Sequence, residues 1–188
     1  DDALLAGNAS ILKSLECGLF LSAAFGIAKP DWHAARANLL YALRNTPERF
    51  DRRNTGARFA MDWYYPVLAG VFDQAESAQR LDQSWGKFVI EAHGCRCVSN
   101  EPWVTVAETA ELVLALLAAN QRERAAALLQ TALDVHDENG VFWMGHQIEE
   151  DIYWPREQPS WTQAAMILAA DALQDGSATH QVLTRSLL

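Results

Sequence analysis

The chain has 188 residues, of which 50% are hydrophobic and 21% charged, with a formal net charge of −9. That balance belongs to a globular domain rather than a disordered segment. The acidic charge excludes the basic footprint of a nucleic-acid binder, and the longest apolar stretch, Leu112 to Ala119, is too short to span a bilayer.

Period and punctuation predict a series of helices. The first runs from Ala3 to Phe25 and stops at Gly26. Pro30-Asp31 opens a second, Trp32 to Arg44, ended by Asn45-Thr46-Pro47. A third covers Ala57 to Phe72, with Pro66 placed to kink it. A fourth runs from Gln74 to Glu91 and is stopped by His93-Gly94. The fifth starts on Pro102, a suitable first-turn proline, and reaches Ala119. The sixth spans Arg122 to Asp134. Asn139-Gly140 then marks a tight turn before a short extended piece, Val141 to Met144. The seventh takes Ser160 as its N-cap and ends at Leu173. Asp175-Gly176-Ser177 breaks the chain before a last helix toward Leu188.

Odd and even helices differ in character. The fifth and seventh are apolar around most of their girth, as Leu112-Val113-Leu114-Ala115-Leu116 and Ala164-Ala165-Met166-Ile167-Leu168 show. Such helices are buried on several sides. The fourth and sixth carry Arg80, Asp82, Lys87 and Arg122-Glu123-Arg124 on one side and are surface helices. An inner helix followed by an outer one, recurring about every 45–58 residues, is an α-hairpin repeat. Links inside hairpins are short (Asn120-Gln121) and links between them are long (Val135 to Pro159). Long loops at one end only favour a ring over an open solenoid. The expected architecture is all-α: an α/α toroid of inner and outer helices, here a partial ring of about four hairpins. It forms a single domain over 1–188.

The chain opens Asp1-Asp2, without the features of a signal peptide, and enters a helical pattern at once. It is therefore expected to be the C-terminal part of a longer protein. Three cysteines at no disulfide-scaffold spacing are read as reduced thiols, which fits a cytoplasmic protein.

Three segments near the predicted helix starts carry most of the chemistry: Arg58 to Tyr65, Cys95 to Trp103 and Glu149 to Pro155. Each joins carboxylates to large aromatic rings. The runs Asp62-Trp63-Tyr64-Tyr65-Pro66-Val67-Leu68-Ala69-Gly70, Arg96-Cys97-Val98-Ser99-Asn100-Glu101-Pro102-Trp103-Val104-Thr105, and Trp154-Pro155 with Ser160-Trp161-Thr162-Gln163-Ala164-Ala165 resemble bacterial proteins labelled prenyltransferase-like. The resemblance covers most of the chain. It implies an α/α-toroid fold related to terpenoid cyclases, protein prenyltransferases and six-hairpin glycosidases, and a full ring of that kind takes more hairpins than are present here. The Asp-x-Asp-Asp acid motif of squalene–hopene-type cyclases has no match; the nearest run is Glu149-Glu150-Asp151.

On the predicted fifth helix, Glu101, Thr105, Glu108 and Leu112 follow one face. A carboxylate on such an apolar helix needs a partner or a function, and Arg58 and Arg96 are the natural partners. Asp62 stands in a helix first turn, where it either caps or acts chemically. Asp151, with Tyr153 and Trp154, lies on the longest loop. The candidate catalytic acids are thus Asp62, Glu108, Glu101 and Asp151, with Asp62 and Glu108 foremost. The candidate ligand-binding residues are Trp63, Tyr64, Arg58, Arg96, Trp103, Trp154 and Trp161. Paired carboxylates beside aromatic walls suit hydrolysis of a glycosidic bond, and the leading reading is a pocket for a glycan or glycoconjugate. The alternatives are prenyl transfer or cyclisation of an isoprenoid, as the resemblance implies, and a non-catalytic helical-repeat scaffold. His93, Cys95 and Cys97 alternate, and with His146 or Asp62 they would make a zinc set. They lack Cys-x-x-Cys spacing, so no metal and no cofactor is expected.

Overall fold

The computed structural model describes residues 2–52, 58–177 and 181–188. It is mostly helical. The helices are α1 (Leu5–Ala24), α2 (Pro30–Asn45), α3 (Ala60–Leu68), α4 (Gln74–Gln83), the short α5 (Trp85–Phe88), α6 (Val106–Ala118), α7 (Arg122–Ala132), α8 (Ser160–Gln174) and the short α9 (Gln181–Thr184). An all-α description is incomplete, because two small antiparallel sheets are present. β1 (Val89–Ile90) pairs with β2 (Gly94–Cys95), and β3 (Trp103–Thr105), β4 (Gly145–Gln147) and β5 (Ile152–Tyr153) pair in that order.

The helices pack as hairpins set side by side. α1 packs on α2 and α3, α3 on α4 and α6, and α6 on α7 and α8. The middle of this row is α6, which buries Val106, Thr109, Ala110 and every residue from Leu112 to Leu116. α1, α3, α6 and α8 all end the same way. Gly26, Gly70, Asn120 and Asp175 each take positive φ. The next residue or the left-handed one then reaches back, as in Ile27 N–H to Ser22 O (2.7 Å), Val71 N–H to Pro66 O (3.0 Å) and Gln121 N–H to Leu116 O (2.8 Å). This left-handed stop satisfies the last carbonyls and turns the chain sharply. After α3, the turn leads into a capping box: Glu76 N–H donates to Asp73 Oδ1 (2.9 Å) while Asp73 N–H donates to Glu76 Oε2 (3.0 Å).

Several expected boundaries move. The third predicted start, Ala57, lies outside the described residues. The fourth helix does not reach Glu91, because the chain leaves the helix after Gln83, makes α5 and becomes β1. Pro102 does not open the fifth helix. Trp103-Val104-Thr105 is extended, as aromatic and β-branched residues prefer, and the strand is held by β4 and by Ile148 N–H to Pro102 O (2.8 Å). Glu101 is therefore off the helix and shares no helical face with Glu108. Pro159, not Ser160, sits at the N-cap of α8, and α9 is only four residues long.

The far ends of the chain meet at a buried ion cluster. Glu16 of α1 is 2% exposed. It accepts from Lys13 Nζ (2.7 Å), Arg36 Nη2 of α2 (2.9 Å) and Leu187 N–H (3.0 Å), while Lys13 Nζ also donates to Arg185 O (2.8 Å). Burial opposes the Glu16 charge, yet these donors outweigh it and hold the carboxyl below its ordinary 4.5. Because its folded value is depressed, this carboxylate contributes fully above the unfolded value and loses its contribution as pH falls through the folded one. Glu16→Gln, which leaves two cations without their counter-charge, should cost about 3 kcal/mol at neutral pH. Chemical denaturation should show that the deficit shrinks below about pH 4.

Candidate functional site

The starts of α1, α3 and α6 and the approach to α8 are linked in series by hydrogen bonds from main-chain N–H groups. Asp51 Oδ2 accepts from Leu5 N–H (3.1 Å) and Asp62 Oδ1 from Ala6 N–H (3.4 Å), which joins the start of α1 to the start of α3. Ala60 N–H donates to Cys97 O (3.0 Å) and Ser99 N–H to Arg58 O (2.9 Å), which joins α3 to the segment before α6. Val106 N–H donates to Met144 O (3.0 Å), and Met144 N–H to Glu157 O (2.8 Å), on the approach to α8. Free N–H groups at helix starts require such acceptors, and these bonds link each of these segments to its neighbour.

An acid–tyrosine cluster lies between α3 and α6. Glu108 and Glu111 are one turn apart on α6 and so share a face. Tyr64 Oη donates to Glu111 Oε2 (2.6 Å) and Tyr65 Oη to Glu111 Oε1 (3.1 Å). Burial, then the neighbouring Glu108, raises the Glu111 carboxyl above its usual range against these two bonds. Thr105 Oγ1 donates to Glu108 Oε2. The Cys97 thiol also bonds Glu108, and burial with that acid beside it pushes Cys97 up to about 12. Tyr64 and Cys95, both fully buried, are raised by burial and by the same two acids.

Asp62 and Glu108 occupy equivalent places, the third residue of α3 and of α6. Pro66 explains the surroundings of Asp62. A proline has no N–H and leaves the carbonyl four residues earlier without its helical donor. That carbonyl is Asp62 O, and Arg80 of α4 fills the gap with Nη2 at 2.9 Å. Arg80 Nε also donates to Trp63 O (2.7 Å), and Trp63 Nε1 returns a bond to Arg80 O (2.8 Å). Burial first, then Asp51, raises the Asp62 carboxyl, while the bond from Ala6 and the Arg80 charge oppose the rise.

The three-stranded sheet stands beside α6 and presents two faces. Cross-strand partners project to the same side and successive residues to opposite sides. Trp103, Gln147 and Ile152 form one row, and Val104, His146 and Tyr153 the other. The first row, with Val98, Glu101, Pro102, Glu150 and Trp154, lines a groove of about 440 Å³. Trp103 and Trp154 meet edge to face there (5.3 Å, 74°). Trp103 Nε1 donates to Trp154 O (2.6 Å), which fixes the corner. Gly145 is required beneath it, since a Cβ at that position would lie 2.6 Å from Trp103 Nε1. The opposite row opens on a second hollow of about 410 Å³ with Asp134 and Asp151, where His146 Nε2 pairs with Asp151 Oδ1 at 2.9 Å.

The sequence-derived candidates therefore separate. Glu101, Trp103 and Trp154 line the groove. Glu108 belongs to the acid–tyrosine cluster, and Asp62 faces the start of α1. Asp151 faces the second hollow, away from the groove. Trp63 and Tyr64 are core residues rather than ligand walls: Trp63 is 3% exposed and stacks on Phe88 (5.3 Å), and Tyr64 is fully buried. Trp161 is exposed in the first turn of α8. Arg58 stands 4.0 Å from Glu101 in an exposed pair. Arg96 reaches the carbonyls of Lys87 and Ser99, both at 3.3 Å, and Arg156 lies over Trp143 (5.6 Å). These three arginines go to separate partners and do not make the cationic cluster a diphosphate needs. Cys95 and Cys97 sit beside Glu108, whereas His93 turns toward His146 (6.0 Å between ring centres), so the alternating trio does not converge. Glu111 and Glu150 are the site residues that sequence reasoning missed. The one-turn spacing of Glu108 and Glu111 on an apolar helix is the signal that marks the first. The groove's other acid had no comparable signal.

No family model matches the sequence. A curated protein of Mycolicibacterium hassiacum, MMP endo-(1,4)-3-O-methyl-α-D-mannosidase, is 42% identical over 173 residues, covering 92% of this chain and 47% of that enzyme. The chain thus spans about half the length of the relative it matches. The likeness is to a glycan-acting enzyme and fits a glycosidase-like helical fold. Among the described residues, no helix is long and apolar enough to cross a membrane.

The acid cluster makes a chemical prediction. A thiol held as the protonated form does not attack alkylating reagents. Cys95 and Cys97 should stay unmodified by iodoacetamide near pH 8 in the folded protein and react once it is unfolded, as counted by intact mass. Rapid labelling of Cys97 in the folded state would mean that Glu108 does not control it.

Proposed function

We propose that this chain forms part of a glycoside hydrolase that cuts an internal α-(1,4) bond in an O-methylated mannose chain. The observation that carries this reading is the 42% identity, over nearly the whole chain, to an enzyme named for that activity. The placement of acids and indoles at the rim supports it. In this proposal α1, α3, α6 and α8 form the inner arc of an α/α toroid, with α2, α4 and α7 outside. The substrate lies across the rim where the inner helices begin.

Glycosidic hydrolysis asks for one acid to protonate the leaving oxygen and a second carboxylate to work at the anomeric carbon from the opposite face. Asp62 takes the first role. Burial and then the Asp51 charge raise its carboxyl, the direction a general acid requires. Glu108 takes the second, oriented by Thr105 and Cys97. Glu111, saturated by two tyrosines, positions α3 against α6 and does not touch substrate. Trp103 and Trp154 offer flat apolar faces to sugar rings in the groove they line with Glu101 and Glu150.

The test is hydrolysis of a 3-O-methylated α-(1,4)-oligomannoside by the full-length protein, followed as new reducing ends. Asp62→Asn and Glu108→Gln should each lower kcat by about 10²–10⁴-fold. Asp151→Asn, on the far side of the sheet, should leave kcat within about twofold of the parent. Full activity in Glu108→Gln, with the melting temperature lowered instead, would make that residue structural and end this assignment.

A further inference from the structure

The indole groove differs from an ordinary sugar site in one respect. Sugar hydroxyls call for a fan of polar side chains, because an unpaired hydroxyl is costly to bury. The floor of this groove is largely apolar: Val98, Pro102, Ile152 and the two indoles. Its polar groups, Glu101, Gln147 and Glu150, come from the turns and the strand end that border it. Glu101 is half-exposed and shares its charge with Arg58 at 4.0 Å. The only polar atom of the Trp103 ring is already spent on Trp154 O. Ile152 stands 44% exposed and Trp154 53% exposed.

Exposed apolar side chains gathered in one concavity mark a binding site. Two indoles fixed nearly at right angles leave a corner for a compact apolar group on a pyranose ring. A methyl ether fits such a corner. It takes the donor off a hydroxyl, removing the need for an acceptor, and adds one carbon to be buried. The charged groups at the edge are acidic apart from Arg58, which disfavours an anionic or phosphorylated sugar.

We infer that the groove between residues 98–103 and 147–154 is a recognition subsite for O-methyl groups on a neutral mannose chain, and that it sets the preference for methylated over unmethylated substrate. Ile152 and Trp154 are specificity-determining residues, not catalytic ones. The inference rests on the hydrolase reading for the identity of the chain, but the groove binds by itself. A buried methyl is worth about fourfold in affinity, so two ordered methyl groups give on the order of tenfold discrimination.

The experiment pairs a binding probe with a kinetic one, both on the full-length protein. Saturation-transfer NMR compares methyl 3-O-methyl-α-mannoside with methyl α-mannoside, and kcat/KM is compared for methylated and unmethylated oligomannosides. The parent should show transfer centred on the O-methyl protons and prefer the methylated chain. Ile152→Thr, an exposed strand position tolerant of threonine, should lose about fourfold of that preference. Trp154→Ala should abolish the methyl-centred transfer. If methylated chains are cleaved but the preference survives both changes, the groove assignment is overturned and the hydrolase reading stands. If the methylated monosaccharide binds through Trp154 but no chain is cleaved, the groove stands and the hydrolase reading falls. If nothing binds and nothing is cleaved, both fall.

Discussion

The link between α3 and α6 through Glu111 organises the rest of the molecule. A carboxylate inside an apolar helix is tolerated only when its oxygens are met by donors. Here the donors are consecutive tyrosines, Tyr64 and Tyr65, which fan apart by about 100° on α3 and still reach the two oxygens of one acid. That geometry sets the rotation of α3 and its height against α6. Asp62 and Glu108 are the third residues of these two helices. Two acids stand one turn apart on α6 at this contact, and burial first, then the charge of these acids, raises Glu111, Tyr64, Cys95 and Cys97.

A second constraint comes from Pro66. Its missing N–H creates a local debt in the helix that Arg80 settles, and the settlement fastens α4 to α3 by three reciprocal bonds. Trp63 is consumed in that fastening. A residue that looks like a ligand wall in sequence is in fact the reason the outer helix sits where it does. The packing of α3 on both neighbours is therefore coupled: Asp62 gives its side chain to α1 and its carbonyl to α4.

Much of the helical frame was legible because long apolar runs such as Leu112 to Leu116 carry a strong periodic signal. The turn residues Gly26, Gly70 and Asn120 also punctuate the helices in a regular way. The sheet was not legible. Strands of two or three residues have no period to detect, and β3 differs from a helix start only because β4, some 40 residues downstream, supplies its partner. Taking Pro102 as a helix opener put Glu101 on the wrong face for the same reason. Glu111 escaped notice because its tyrosine partners lie 46 and 47 positions away, so nothing local reports them. The indoles of Trp63 and Trp103 are alike in sequence. Only tertiary packing makes one a core anchor and the other a groove wall.

The three-stranded sheet then divides the chemistry by parity. A strand sends alternate side chains to opposite faces, so Ile152 and Trp154 fall on the groove side while Asp151 and Tyr153 fall on the other. A one-residue slip of β5 against β4 would exchange them, turning Asp151 toward the indole corner and away from His146, which stays with β4. The bonds that resist the slip lie at both ends of the hairpin: Trp154 N–H to Gly145 O at 3.0 Å and Glu150 N–H to Gln147 Oε1 at 2.6 Å. The Trp103–Trp154 bond adds a third restraint from the neighbouring strand. The groove is apolar and Asp151 is excluded from it because register, not composition, assigns each residue of the Glu149–Trp154 segment to its face.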